Sequence, residues 1–294
     1  MTNILKIDNL TKLYGTRTVL NQLNLEVKKG SVFGLLGPNG SGKTTTLSIL
    51  LDIIPANGGH FDWFEGTSSN PRKRIGSLLE SPNFYGHLSA ERNLKIAADI
   101  KEVSYSDISR VLSFVNLEER KNDKFSTFSL GMKQRLALAS SLLGSPEVLI
   151  LDEPTNGLDP QGIYDIRELI HTISSQGITI IIASHMLDEI EKVCSDVAII
   201  KDGTLITSGK VSEILGDDHI IIVQASDMKK LERDLKEIES VTKIDKNLEQ
   251  FTVSFSKDIS TAELNKLMFD KGTTLTHLEK KQKNLEMQFL ELTK

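Results

Sequence analysis

The chain has 294 residues, enough for about two domains that each bury a core of their own. With 26% charged and 39% hydrophobic residues it reads as an ordinary folded protein, which excludes the disordered and fibrous classes. The net charge of −5 argues against a primary nucleic-acid binder, and the short basic run Arg72-Lys73-Arg74 reads as a solvated rim.

Cys194 is alone, so no disulfide framework or thiolate metal cage is expected; it reads as a small buried apolar residue. The segment from Met1 to Lys6 lacks the basic and apolar regions of a signal peptide. The longest apolar stretches, such as Ile178 to Ala183, are too short to span a bilayer. Any work at a membrane is therefore expected to run through another chain.

Taken in order, the first 30 residues suggest strands, with Leu23, Leu25 and Val27 alternating against polar neighbours and Lys29-Gly30 closing a turn. The apolar run Val32 to Leu36 leads into Gly37-Pro38-Asn39-Gly40-Ser41-Gly42-Lys43-Thr44, and a helix-prone stretch from Thr45 to Leu51 follows. Strand, Gly-rich loop and helix in this order form a phosphate-binding loop. Its glycines let backbone N–H groups point at phosphate oxygens, and the helix N-terminus adds partial positive charge there. Lys43 can reach the β- and γ-phosphates, and the Thr44 hydroxyl can ligate Mg²⁺. Thr45 belongs to the same cradle.

A Gly/Pro/Asn-rich stretch, Pro55 to Gly59, precedes another strand around Phe61 to Phe64. From Ser89 to about Leu143 the pattern is helical: Leu94, Ala97 and Ala98 share one face, as do Ile108, Val111, Leu112 and Val115. An all-helical insert, about 88–143, thus interrupts an α/β core. The core resumes with Val148 to Leu151, apolar throughout as in a strand buried on both faces of a parallel sheet. Asp159 caps a helix with Pro160 at its first position. Strand Ile178 to Ala183, a helix through Val193, and a hairpin turning at Lys201-Asp202-Gly203 complete a mostly parallel sheet.

Near Gly216-Asp217-Asp218 the character changes, and residues 216–294 read as a small α+β domain. Strand Ile220 to Val223 precedes a helix with Leu231, Leu235 and Ile238 on one stripe. Val241 to Ile244 and the alternating Phe251, Val253 and Phe255 form a strand pair. Ser260 and Glu263 make a capping box for a helix that Gly272 ends. A strand with Leu275 and Leu278 follows, then a helix carrying Leu285, Phe289 and Leu292. The order β-α-β-β-α-β fits the split βαβ plan.

Two carboxylates end the apolar strand at Leu151. Asp152 is placed to hold Mg²⁺ through its water shell, and Glu153 to polarise a water against the γ-phosphate. Ser129-Leu130-Gly131-Met132-Lys133-Gln134-Arg135 opens a helix, which alone would be ordinary capping. Together with the phosphate loop, this set resembles the ATP-binding subunits of ABC transporters over residues 1 to about 215. The Ser129 segment looks like that family's signature motif, Asn156-Gly157-Leu158-Asp159 like its D-loop, and Ser184-His185 like its switch histidine. Tyr14 matches the aromatic that stacks on adenine.

The resemblance implies an ATPase whose domains meet head to tail as a homodimer or heterodimer. Ser129 and Gly131 of one copy would then close on ATP bound by the other, with His185 contacting the γ-phosphate. Two departures stand out: Leu130 replaces a usual Gly, and Glu80 a usual Gln. Glu80 resembles the bacitracin-resistance and lantibiotic-immunity exporter branch; drift without substrate meaning is the alternative. A carboxylate there can meet Mg²⁺ or the attacking water but cannot donate a hydrogen bond unless protonated.

These features suggest a subunit powering a separate membrane exporter of antimicrobial peptides, antibiotics or lipids. Its polytopic permease would be contacted near Glu80–Leu94, placing the chain on the cytoplasmic face. A soluble ABC ATPase acting on ribosomes or nucleic acid is the rival, but a second core, basic linker or long coiled coil would be expected for it. The tail domain could extend a dimer interface, restrain turnover or cap the core.

Overall fold

The computed structural model describes all residues except 1, 69, 81, 216–218, 248–249, 283 and 293–294, and only the backbone of 282 and 290–292. Met1, Ser81 and the expected change of character at Gly216-Asp217-Asp218 lie outside the described residues. The chain divides into two compact units, Met1–Lys210 and Val211–Lys294, so the division comes earlier than residue 215.

The first unit opens with β1 (Asn3–Tyr14) and β2 (Arg17–Lys28), an antiparallel pair. The alternation in β2 buries Leu20, Leu23, Leu25 and Val27 and leaves their neighbours outside. Strand β3 (Val32–Leu36) runs into the phosphate loop and α1 (Lys43–Leu50). Strand β4 (Gly58–Trp63) pairs with β1 and stops where Phe64 turns to φ 54°, so Phe64 begins a 3₁₀ turn and not the last strand residue expected.

After β5 (Ile75–Leu78) comes the helical insert: α2 (Ala90–Lys101), α3 (Ser106–Phe114) and α4 (Leu130–Leu142), with short 3₁₀ turns between α3 and α4. Leu94 and Ala98 of α2 are buried, as are Ile108, Val111 and Leu112 of α3 and the following Val115. The core then continues through β6 (Val148–Asp152), α5 (Pro160–Ser175), β7 (Thr179–Ser184), α6 (Leu187–Val193), β8 (Asp196–Lys201) and β9 (Thr204–Lys210).

The central sheet has the order β5-β6-β7-β3-β8-β9, parallel except for β9. Every residue of β3, β6 and β7 is buried, which is why these strands read as unbroken apolar runs. One core joins this sheet to the small antiparallel one: Leu5, Leu23 and Trp63 meet Leu35, Ile150 and Ile181, with Leu47 and Leu50 of α1 among them. Burying α1 in that core anchors the phosphate loop at its helical end. The thiol of Cys194 is also buried, and burial raises its pKa far above the ordinary range.

In the second unit, α7 (Val211–Leu215) packs with α10 (Leu285–Leu292). Between them lie β10 (His219–Ala225), α8 (Met228–Lys236), β11 (Val241–Asn247), β12 (Gln250–Phe255), α9 (Thr261–Asp270) and β13 (Leu275–Gln282). The sheet order β11-β12-β10-β13 is antiparallel throughout, the arrangement of a split βαβ unit. Phe251, Val253 and Phe255 pack with Leu231, Leu235, Leu264 and Met268. Ile238 lies beyond the end of α8 but still packs against this core, held by a turn onto the Leu235 carbonyl.

Candidate nucleotide site

In the central sheet, β5, β6, β7 and β3 are consecutive neighbours, so the residues after their carboxyl ends share one rim. That rim carries Glu80 after β5, Asp152 and Glu153 at β6, Ser184 and His185 at β7, and the phosphate loop after β3. Widely spaced positions in the chain meet here because the strands are parallel and in register.

The phosphate loop turns into α1 at Gly42, whose φ of 106° is a left-handed conformation; a Cβ there would also lie 2.6 Å from Leu20 Cδ2. The hairpin turn between β8 and β9 braces the loop, with the Gly203 N–H donating to the Ser41 carbonyl at 3.1 Å. Gly203 has φ 76°, and an added Cβ would fall 2.3 Å from the Val19 carbonyl oxygen. The sequence showed this turn, but not what it supports.

Lys43 is 6% exposed and donates to the carbonyls of Gly37 at 2.8 Å and Pro38 at 3.2 Å, with Glu153 Oε1 at 3.9 Å. Burial lowers its pKa, opposed by the nearby Glu153 and Asp152 carboxylates. The hydroxyl of Thr44 donates to Asp152 Oδ2 at 2.8 Å. Burial raises the pKa of Asp152, assisted by Glu153 and Glu80 and opposed by the Thr44 hydrogen bond and Lys43. Among the described residues, Asp152 Oδ1 and the Ser41 hydroxyl are buried without a hydrogen-bond partner. The hydroxyl of Thr44 beside an unused carboxylate oxygen is a hard-oxygen set suited to Mg²⁺, and polar atoms left idle in the protein alone are available to a ligand.

Glu153 leaves β6 with φ 48° and its N–H bonded to the Ala183 carbonyl at 2.9 Å, which turns its side chain away from Asp152's path. Its carboxylate lies 2.9 Å from His185 Nδ1 and accepts from the Ser184 hydroxyl at 3.3 Å. Thr44, Glu80, Asp152 and Glu153 line a cavity of about 330 Å³ together with Gln134 and Asn156. Gln134 was not expected in this cavity; the sequence showed it only as the last residue of the Ser-x-Gly-x-x-Gln stretch, and the fold buries it on α4.

The signature and D-loop segments line a second cleft of about 400 Å³, which includes Ser129, Leu130, Gly131, Gly157 and Asp159. Ser129 caps α4 by accepting from Met132 N–H, and Asp159 caps α5 by accepting from Gly162 N–H, so each already has a structural task. An added Cβ at Gly131 would meet nothing within 4 Å. Packing within the protomer therefore does not demand glycine there. Tyr14, at the end of β1, is 52% exposed, with Lys12 Nζ 5.2 Å from its ring centroid. Pro38, Asn39 and Gly40 are exposed at the loop tip, and Thr45 is half-buried.

A parallel sheet whose carboxyl edge presents this loop, an acid at the neighbouring strand end and a second acid beside a histidine is the core of a phosphate-loop ATPase. The family model described as "ABC transporter" matches residues 20–156. The lantibiotic transport ATP-binding protein SrtF of Streptococcus pyogenes is 45% identical over 205 residues, covering 69% of this chain and 89% of that protein. The bacitracin transport ATP-binding protein BcrA of Bacillus licheniformis is 37% identical over 305 residues, covering 99% and 98%. A solved ATP-binding subunit of an ABC transporter superposes with a TM-score of 0.64 at 27% identity, over 72% of this chain and 91% of its own. The chain belongs to the ATP-binding subunits of ABC transporters, ATPases whose hydrolysis is coupled to transport. These relatives do not favour the ribosome-factor alternative.

Proposed function

We propose that this chain binds ATP with Mg²⁺ on the cytoplasmic face of a membrane and drives a permease that exports an antimicrobial peptide or a related membrane-active compound. The observation that carries the ATPase reading is the single cavity holding Thr44, Asp152, Glu153 and Glu80, with His185 against Glu153. Thr44 and Asp152 would hold the metal, directly and through water. The metal would supply positive charge to the triphosphate, and Lys43 would leave its loop carbonyls to meet the phosphate oxygens. Glu153 would accept the proton of the attacking water, with His185 and Ser184 orienting its carboxylate. Glu80 would add a second carboxylate near that water or the metal's shell.

Ser129 and Gly131 would close on the triphosphate of a second copy or a homologous subunit. The open space around Gly131 supports this, because a phosphate can approach the α4 N–H groups there. ATP would favour the closed pair because it contacts both protomers, and hydrolysis would remove that bridge.

For the permease, a cleft of about 500 Å³ lies beside Glu80–Leu94, lined by Phe84, Tyr85, Ile96, Ala97 and Ile100. Tyr85 is 57% and Ile100 79% exposed, an apolar face suited to a partner helix. Among the described residues no helix is long and apolar enough to cross a membrane, so the pathway would belong to the partner. The compounds named for SrtF and BcrA supply the substrate class.

The test is affinity purification from solubilised membranes, followed by peptide-antibiotic sensitivity of cells carrying the transporter with Lys43→Ala. A polytopic partner and a drop in resistance are expected. Recovery with ribosomes and no membrane chain would remove the exporter reading.

A further inference from the structure

The hairpin of β1 and β2 lies against the phosphate loop. A Cβ built on Gly42 would fall 3.0 Å from the Val19 carbonyl oxygen, and one on Gly40 would lie 4.0 Å from an Arg17 guanidinium nitrogen. Arg17 pairs with Tyr14 across that hairpin. A half-exposed aromatic ring therefore stands on the strand pair that flanks a loop built for phosphates, where the base of a bound nucleotide can stack on it.

That ring is held from behind. Lys12, two residues earlier, is only 8% exposed; its ammonium donates to the Pro55 carbonyl at 2.5 Å and sits over the Tyr14 ring, 5.2 Å from the centroid. A cation withdrawn from water is costly unless other groups replace the water, and here a carbonyl and a π face do so. Pro55 is itself fixed. The Asn57 N–H donates to the Thr11 carbonyl at 2.8 Å, and the Asn57 side-chain oxygen accepts from the Leu13 N–H at 2.9 Å. Ile54 and Ala56 pack against the core. This segment follows α1, whose first residues are Lys43 and Thr44, so the ring and the phosphate loop are tied together through one helix.

We propose that Lys12 is a positioning residue for nucleotide binding: its ammonium, anchored on Pro55, holds the Tyr14 ring in the pose that stacks on a purine base. The cation also draws on the ring's π density, which lowers the repulsion between the faces of two stacked rings. Lys12 would touch the ring and not the nucleotide, so its effect is confined to the base half of the ligand. This inference rests on the nucleotide site proposed above.

The experiment uses the full chain and two probes, the magnesium complexes of adenosine β,γ-imidotriphosphate and of inorganic tripolyphosphate, titrated by calorimetry. Only the first carries a base. Lys12→Met removes the charge and keeps a side chain of similar length. It should weaken the adenosine analogue about three- to tenfold, as expected for one cation–π contact, and leave tripolyphosphate within about twofold of the parent. Lys12→Arg keeps a cation over the ring and a donor for Pro55, and should bind the analogue within about twofold of the parent. Tyr14→Leu should weaken the analogue about fivefold or more. Adding Lys12→Met to Tyr14→Leu should cost no more than about a further twofold, because the contact is already gone.

Equal weakening of both probes by Lys12→Met would make the residue a support of the fold alone and overturn the proposal. So would parental affinity of Lys12→Met for the analogue, no rescue by Lys12→Arg, or a further large loss in the Tyr14→Leu background. Parental affinity of Tyr14→Leu for the analogue would instead reject the base platform, and a parent chain that binds neither probe would reject the nucleotide site itself. The three failures are therefore distinguishable.

Discussion

Replacing Glu153 with Gln keeps the side chain's shape and removes its charge and basicity. The carboxylate is 20% exposed, beside His185 Nδ1 at 2.9 Å and Lys43 Nζ at 3.9 Å. Those contacts are partly solvated, so their loss should change stability by no more than about 1 kcal/mol. Gln retains an oxygen that can accept from Ser184. The chemical step should suffer far more, because a positioned general base contributes about 10²- to 10⁴-fold, or roughly 3–5 kcal/mol of barrier. Ground-state binding should hold or tighten, since a negative charge facing the γ-phosphate is gone. The assays are phosphate release at saturating Mg-ATP and size-exclusion chromatography with and without ATP. A drop of at least about a hundredfold in turnover, with an ATP-dependent dimer and a nearly unchanged melting temperature, is expected. Turnover within threefold of the parent would refute Glu153 as the base. Loss of turnover together with a large fall in melting temperature would show that the residue supports the fold instead.

Lys101 makes stability depend on pH. Burial lowers its pKa from 10.5 to about 8, partly offset by Asp107, while its ammonium donates to the Ser140 and Ser141 carbonyls. Between those two values the unfolded chain holds a proton that the folded chain has released. Stability should therefore rise from pH about 8 to about 10.5, by at most about 3 kcal/mol, and denaturant titrations of Lys101→Met should lose that rise. Ile100→Asp alters a residue that is 79% exposed. It should leave stability and the isolated subunit's ATP turnover near parental values while abolishing co-purification with the permease; retained co-purification would move the docking face elsewhere. Phe255→Ala removes a fully buried ring from the second unit and should cost about 3–5 kcal/mol there. Hydrogen exchange should show lost protection in Val211–Lys294 with Met1–Lys210 little changed, and a uniform loss across both would mean that they unfold together.

Much of the fold was legible because its local rules and its global needs agree. Four apolar residues before Asp152 announce a strand buried on both faces, and Asp159-Pro160 and Ser260 with Glu263 announce helix starts, since capping depends only on near neighbours. Phe64 and Ile238 were read into elements that end just before them. A positive φ and a helix terminus are settled by packing and by the turn's own hydrogen bonds, which hydrophobic pattern does not encode.

For the site, the residue sequence alone determined the chemistry on offer: a glycine-rich loop with Lys43 and Thr44, acids at the end of a buried strand, and a histidine after another. Only the tertiary structure decided which of these meet. The parallel order β5-β6-β7-β3 brings Glu80, Asp152, Glu153 and His185 to one rim, and the turn at Gly203 braces the loop from a distant stretch of the chain. It also placed Gln134, a residue of the signature helix, on the wall of the cavity that holds those acids. The physical reason is range: loop and cap chemistry acts over a few bonds, whereas burial and hydrogen-bond partnership depend on chain segments far apart in sequence.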